Sequence, residues 1–466
     1  MKPDRNKTLA KDIIIYGIGN VGSRFIALLL IPLIAYFESS EEIGYYDIAL
    51  ATILFLLPIT TLQMRESTFR LLIDNNNETY RKNILSTTVF LESIVFVAIL
   101  AISFCIPPFF NIRFFCLIVV SVYVFSFYEI YLQAVRILYS TTKFAYMGII
   151  TSFLTVAFTL TLFFVFNKGI EALFIGNILS RLISVAIIEL PKRTFLKSLS
   201  SKYIKKQYIS EIFHYSLPLI LTAISFGVIT ICGRYMVENM LGLQDNGDLA
   251  LSDKFVTIIF VLGTTFYQAW QVTAVKNYNE KDSAGFFSEV FNKYAIFLSL
   301  LVVFISFGMR SFSPLIISDN YPKSVGITYI FATGAMFLCF AQFLEITYQC
   351  TKQTSKIIYS VLSCAIITPA LSYFLIKNFG LTGNVIALCF AYAYLFVFRY
   401  IQTRKTLPIR LNKGFFYSIS LLVVCGTLFY YTNNCFLDYS IMTISAVALM
   451  CYSIYMRKRY LRKETH

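Results

Sequence analysis

"FYEIYLQAVR" (127–136) and "FLEITYQCTK" (343–352) are one phrase written twice, 216 residues apart. Each runs Phe, then Glu-Ile two residues on, then Gln, then a basic residue. Glu129, Gln133 and Arg136 stand at i, i+4 and i+7, which puts them on one helix face, and Glu345, Gln349 and Lys352 repeat the spacing. Further echoes keep the same order. "TTKFAY" (141–146) is answered by "TSKIIY" (354–359), and "NKGI" (167–170) by "NFGL" (378–381), at offsets of 213 and 211. Upstream, "IIIYG" (13–17) faces "IFHYS" (212–216), and "EIGYYD" (42–47) faces "DNGDLA" (245–250). The drift in offset is what short insertions leave behind, so the chain reads as an internal duplication.

What is duplicated is apolar. The 466 residues are 57% hydrophobic and 14% charged, with a mean hydropathy of +0.69. A soluble protein so composed would expose far more apolar surface than solubility tolerates. Runs of about 20 apolar residues, the length a bilayer-spanning helix needs, recur throughout. The spans predicted are 13–36, 45–64, 84–106, 114–135, 144–166, 172–190, 215–236, 250–275, 290–309, 326–349, 357–376, 381–403, 415–431 and 437–455. The first is too long for a signal-peptide core and has no small-residue cleavage site after it, so it is read as a span.

Charge tests that topology independently. With both termini cytoplasmic, the inside segments (with Lys293 at the mouth of the ninth span) hold 30 of the 40 Lys and Arg. The outside loops hold five. The remaining five, Arg24, Arg181, Arg234, Lys254 and Arg399, fall within spans. The bias alternates at every crossing, as the positive-inside rule requires. The net charge of +15 is therefore a matter of topology and of basic loops on an anionic leaflet, not of nucleic-acid binding. The ten cysteines are scattered without a CxxC pair, and the two histidines, His214 and His466, lie far apart. Neither residue type suggests a metal site.

The expected fold is an all-α polytopic membrane protein of 14 transmembrane helices. Two six-helix lobes, related by a pseudo-twofold along the membrane normal, are followed by two extra C-terminal helices. The segments are an N-terminal lobe at 1–190, a basic cytoplasmic linker at 191–214, a C-terminal lobe at 215–403, and a final pair of helices with a basic tail at 404–466. Two parallel halves about a central site are a transporter architecture.

Charges inside the membrane mark candidate sites, because a basic residue at mid-bilayer costs roughly 3 kcal/mol even on insertion scales. Arg24 sits mid-span in "GIGNVGSRF" (17–25), either paired with Asp47 of the second span or lining an aqueous cavity. Gly17, Gly19 and Gly22 spell G-x-G-x-x-G, but no strand precedes them, so a dinucleotide fold is excluded. They read instead as hinge or close-packing positions, and Pro58 and Pro218 as hinges or static kinks. Arg65 closes the second span at the inner face, Arg234 ends the seventh, and Asp253 and Lys254 open the eighth. The two repeated stripes read either as symmetric gate elements or as plain interfacial helix ends, with Glu129 and Glu345 open to proton coupling. Glu92 is a second open case, a proton site or a satisfied buried acid. Arg181 reads as structural.

No G-x-x-x-x-G-K-[ST] occurs and the longest loop is 191–214, which excludes ATP hydrolysis by this chain. No cofactor is called for. The membrane potential, or a proton or sodium gradient, is the drive left open. The chain reads as a carrier rather than an enzyme.

"KDIIIYGIGNVGSRFIALLLIPLIAYF" (11–37), "EEIGYYDIA" (41–49), the six-plus-six-plus-two helices and "FYQAWQ" (266–271) resemble one branch of the multidrug/oligosaccharidyl-lipid/polysaccharide superfamily. That branch is the polysaccharide-export proteins, the Wzx-type O-antigen flippases. The resemblance implies an undecaprenyl-diphosphate-linked oligosaccharide carried from the inner to the outer leaflet of the bacterial inner membrane. It implies a polysaccharide polymerase and a chain-length regulator as partners beside the membrane lipids. It also implies a cavity lined by the first, second, seventh and eighth spans, and hence by Arg24, Arg65, Arg234 and Lys254 with Asp47 and Asp253. "CGRYMV" (232–237) departs from the family pattern, in which an acid precedes the Arg, and this leaves Arg234 less neutralised. The alternatives are a drug/cation antiporter of the same fold, which calls for an acid-rich cavity, a polysaccharide polymerase, which calls for a long outer loop, and a passive scramblase or structural membrane protein, which would not need Arg24.

Overall fold

A computed structural model describes residues 30, 32–74, 77–105, 115–191, 193–278, 282–316, 321–351, 353, 355–432 and 434–464. Within them the chain is helical from end to end. The helices are α1 (Ser40–Thr60), α2 (Met64–Asp74), α3 (Glu78–Cys105), α4 (Phe115–Leu138), α5 (Thr141–Phe164), α6 (Glu171–Glu189) and the short α7 (Thr194–Ser198). They continue as α8 (Lys206–Leu241), α9 (Leu243–Asn277), α10 (Ser283–Ile316), α11 (Ser324–Cys350), α12 (Ser355–Thr403), α13 (Lys413–Tyr431) and α14 (Cys435–Glu464). Among the described residues, twelve helices are long and apolar enough to cross a membrane.

One of the twelve holds two predicted spans. α12 has 49 residues, which at 1.5 Å per residue is more than twice the roughly 30 Å of a hydrocarbon core. It breaks at Gly380, whose φ of 58° and ψ of −140° are not helical and suit only glycine. The predicted boundary at 377–380 lies at that break.

A second difference concerns the second predicted span, which was expected to run to residue 64 with Arg65 at its end. α1 stops at Thr60, Leu62 and Gln63 take positive φ values of 46° and 51°, and the chain restarts as α2. Arg65 therefore opens a separate helix. Pro58 lies in the last turn of α1 rather than at mid-helix, and Pro218 lies within α8.

The molecule divides into two compact units. Of the described residues, the first holds 30 and 46–231, and the second holds 32–45 and 232–464. In the first unit the core gathers at the end predicted to be cytoplasmic, where Met64, Leu72, Ile84, Leu85, Tyr131 and Val135 are buried together. The stretch 191–214 packs into this core. Phe195 of α7 is buried and meets Tyr131 edge-on at 5.0 Å. The Ser86 hydroxyl donates to the Ser198 carbonyl at 2.7 Å, and Asn83 to the Tyr208 hydroxyl at 3.2 Å.

In the second unit α11 is the central strut, with 78% of its apolar window buried against 11% for α14. Lipid offers no hydrophobic drive for helices to associate, so shape and polar contacts must hold this unit. Segments predicted to share the outer side do meet. Tyr321 donates to the carbonyls of Glu38 and Ser39 at 3.2 and 3.3 Å. Asn246 donates to the Gly44 carbonyl at 2.9 Å. The Asp248 carboxylate caps the start of α11, accepting from the backbone N–H groups of Lys323 and Ser324 at 3.1 and 2.9 Å. The first turn of α1 lies against α9 so closely that neither Gly44 nor Gly247 has room for a Cβ. A Cβ on Gly44 would strike the Leu243 carbonyl, and one on Gly247 the Ser40 carbonyl. The last two helices are fastened by Arg310 of α10, which donates to the carbonyls of Phe429 and Thr432 and pairs with Asp438 at 3.1 Å.

Candidate functional site

Arg24, Gly17, Gly19, Gly22 and Lys352 lie outside the described residues. The other predicted residues divide between the two units. In the first, the left-handed break after α1 turns the start of α2 toward α4. There Arg65 donates to Glu129 at 2.9 Å, the two side chains 40% and 32% exposed. Gln133 buries its side-chain carbonyl without a hydrogen-bond partner among the described residues. Arg136 lies over the Phe144 ring of α5 at 5.8 Å. The stripe that the sequence places on one face of α4 thus serves two neighbours, α2 and α5. Asp47 is buried.

Two further charged groups of this unit are settled by their surroundings. The Arg181 guanidinium lies 3.6 Å from the Phe125 ring centroid and donates to the Asn177 side-chain oxygen at 2.8 Å. An aromatic face and an amide hold the cation there. Glu92 was open between a proton site and a satisfied acid. It is buried, and its Oε1 has no hydrogen-bond partner among the described residues.

In the second unit, Arg234 is better neutralised than the missing acid at position 233 led us to expect. Asp253 of α9 supplies the acid, at 3.2 Å, with the two side chains 14% and 17% exposed. Gly242, with φ of 99°, separates α8 from α9, and Asp253 lies on α9 where it reaches Arg234 at the end of α8. Lys254 follows, half-buried. Such pairing is what allows an ionised arginine to remain at depth in a membrane helix.

Glu345 and Gln349, the second copy of the stripe, lie in a hydrogen-bonded network. Arg399, whose side chain is fully buried, donates to Glu345 at 2.8 Å, to the Ala341 carbonyl at 2.9 Å and to the Ser360 hydroxyl at 3.1 Å. Tyr267 donates to Glu345 at 3.4 Å and accepts from Gln349 at 2.8 Å. Gln271 donates to Gln349 at 2.6 Å. Between these two α9 residues, Trp270 stacks on Phe343 of α11 at 4.9 Å. The "FYQAWQ" motif is thus the part of α9 that docks on α11. Sequence reasoning noted Arg399 only as a basic residue within a span. The available signal was Glu345, an acid needing a buried partner.

Each unit thus matches its cation with a carboxylate, Arg65 with Glu129 in the first and Arg234 with Asp253 in the second, and the Arg65 side chain stays the more exposed of the two arginines. Among the described residues no group of three His, Cys, Asp or Glu side chains could hold a metal ion.

Comparison with known proteins gives this arrangement a context. The family described as "Polysaccharide biosynthesis protein" matches residues 9–271. Among curated proteins, no sequence matches significantly. Among solved structures, lipid II flippase MurJ in an inward closed conformation superposes with a TM-score of 0.72 at 17% identity, over 96% of this chain and all of the other. A multidrug resistance MATE family transporter of the MOP superfamily, inward-facing, gives 0.63 at 11% identity over 88% and 99% of the two chains. An outward-facing MATE transporter structure gives 0.57 at 12% identity over 90% and 96%. At these identities the likeness is one of fold.

Proposed function

The chain belongs to the polysaccharide biosynthesis protein family, a Wzx-like family of MOP-fold membrane transporters, and from this we propose that it is a lipid-linked oligosaccharide flippase. Its cargo is an undecaprenyl-diphosphate-linked repeat unit of O-antigen or another surface polysaccharide. It moves that unit from the inner to the outer leaflet of the bacterial inner membrane, and both of its termini are cytoplasmic. The observation that carries the reading is the conjunction of a polysaccharide-biosynthesis family with a carrier fold, one that overlaps a lipid II flippase nearly end to end.

Three features support the finer picture. The break of α12 at Gly380 divides that helix where the sequence separates the spans 357–376 and 381–403, so thirteen of the fourteen predicted spans meet described helix. The close contacts at Gly44 and Gly247 are reciprocal. Gly44 is to Leu243 as Gly247 is to Ser40, with both pairs related by the offset of 203 that aligns "EIGYYD" with "DNGDLA". A twofold between duplicated halves produces such reciprocity. The third feature is charge, since Arg24, Arg65, Arg234 and Lys254 lean basic where a drug/cation antiporter would lean acidic.

In this reading the arginines take the diphosphate and sugars while the polyprenyl tail stays in lipid, and the two halves rock about the bound head group. With the cytoplasm negative, each negative charge moved outward is driven by about 2.3 kcal/mol per 100 mV. The polymerase and the chain-length regulator act on the delivered unit.

The test is a chromosomal deletion complemented with variants at equal protein level. Arg24→Ala abolishes surface polysaccharide and Arg24→Lys retains part of it, because a single basic charge serves the anion less well than a guanidinium fork. Equal surface polysaccharide from both variants removes Arg24 from the mechanism.

A further inference from the structure

The two copies of the acidic stripe have acquired different duties. Glu129 meets Arg65, whose side chain is 40% exposed, in the first unit. Glu345 meets Arg399, whose side chain is fully buried and whose fork also holds Ala341 and Ser360. The duplication shows where they parted. The offset of 211 that carries "NKGI" onto "NFGL" carries Arg399 back to Ile188, beside Glu189. At that place the first unit has an acid, and it is occupied. Glu189 accepts from the hydroxyls of Tyr131 and Tyr139 at 3.0 and 2.9 Å and from the Leu196 backbone at 2.9 Å. An acid there offers Glu129 nothing, so Glu129 pairs outward with Arg65, whereas Glu345 is held from within.

We propose that Arg399 is a positioning residue: it fixes Glu345, and through Glu345 and Gln349 it fixes Tyr267, Trp270 and Gln271 at one end of α9. Its charge is not relayed to a carried molecule. A buried cation needs a partner, a carboxylate at 2.8 Å provides one, and the carboxylate oxygens then face the Tyr267 hydroxyl. Glu345 is an anchor and not a proton carrier in this account, and the exchangeable copy of the acid is Glu129. α9 also carries Asp253, the partner of Arg234, so the anchored end sets the helix from which the opposite ion pair is made.

The chain provides its own probe, because Trp270 is its one tryptophan. Only 4% exposed and stacked on Phe343, it reports directly on whether α9 is docked. The experiment measures Trp emission and iodide quenching of the purified full-length protein, wild type against Arg399→Gln, Arg399→Lys and the double variant Glu345→Gln/Arg399→Gln. Removing one partner of a buried pair shifts such an equilibrium by roughly 150- to 5,000-fold. Arg399→Gln therefore moves the emission to the red and exposes Trp270 to iodide. Arg399→Lys, which keeps the charge and loses the fork, falls between. The double variant, with no charge left unpaired, returns toward wild type in emission and in polysaccharide transport. If Arg399→Gln fails to accumulate, the same contrast is read between Arg399→Lys and the double variant. A wild-type spectrum from the single variants overturns the proposal. So does a double variant that is docked by its Trp signal yet inactive, since Glu345 would then be doing chemistry of its own. Only the transport arm rests on the flippase reading, and the Trp signal stands or falls without it.

Discussion

A methyl group on Gly247 or Gly44 should loosen the first turn of α1 from α9, and the structure sets the size of the effect. A Cβ on Gly247 would stand 2.6 Å from the carbonyl carbon of Ser40, and one on Gly44 would stand 2.8 Å from the Gly247 nitrogen, where ordinary contact begins at 3.4 Å. These are backbone atoms and cannot turn aside, so the two segments must part by about 1 Å. Overpacking of this kind costs about 1–3 kcal/mol, which is roughly a 5- to 150-fold shift between the closed contact and a parted one. Ser40 is 4% exposed, so a cysteine there reacts slowly with a membrane-impermeant maleimide while the contact holds. In a Ser40→Cys background, Gly44→Ala and Gly247→Ala should each raise the labelling rate of intact cells by about fivefold or more. Gly326→Ala is the control, because nothing lies within 4 Å of its Cβ position, and it should change nothing. Wild-type labelling rates in both test variants, at normal protein levels, would refute the close approach as a constraint on this end of the protein.

Other outcomes follow from the ion pairs. Arg234→Gln and Asp253→Asn should each lower the thermal midpoint, and the double variant should recover most of the loss. A cost of about 1–3 kcal/mol is expected for a pair that keeps some exposure. Equal midpoints in all four proteins would mean that the pair contributes nothing. Arg310→Ala frees the carbonyls of Phe429 and Thr432 and leaves Asp438 without its cation. Faster proteolysis between residues 432 and 435 should then show α13 and α14 more mobile. Unchanged proteolysis would show the two helices held by other contacts.

The helices were legible because their signal is composition over twenty residues, which survives errors at the ends. The predicted spans from 45–64 onward each find a described helix, and even the short junction at 377–380 was marked, since Gly380 is the residue type that such a break demands. What sequence could not supply was partnership at a distance. Arg399 and Glu345 are 54 positions apart and nothing local joins them. Asp253 neutralises Arg234 from the next helix, where inspection of the adjacent position found no acid. The break at Leu62–Gln63 escaped because neither residue favours a positive φ, so tertiary packing imposes it against local preference. The stretch 191–214 read as a linker from its charges. Of its apolar members, Phe195 and Ile212 are fully buried in the first unit, with Leu199, Tyr208, Ile209 and Phe213 packed partly buried against them.

The central claim is that this chain moves a lipid-linked glycan across a bilayer. The purified protein, reconstituted into liposomes containing a polyprenyl-diphosphate oligosaccharide, should be given a membrane potential of either sign while exposure of the sugar to an external glycosidase is followed. The account predicts movement that requires the protein, runs toward the positive side, and is lost with Arg24→Ala. Folded protein that leaves the glycan where it started, or that carries an organic cation instead, would contradict it.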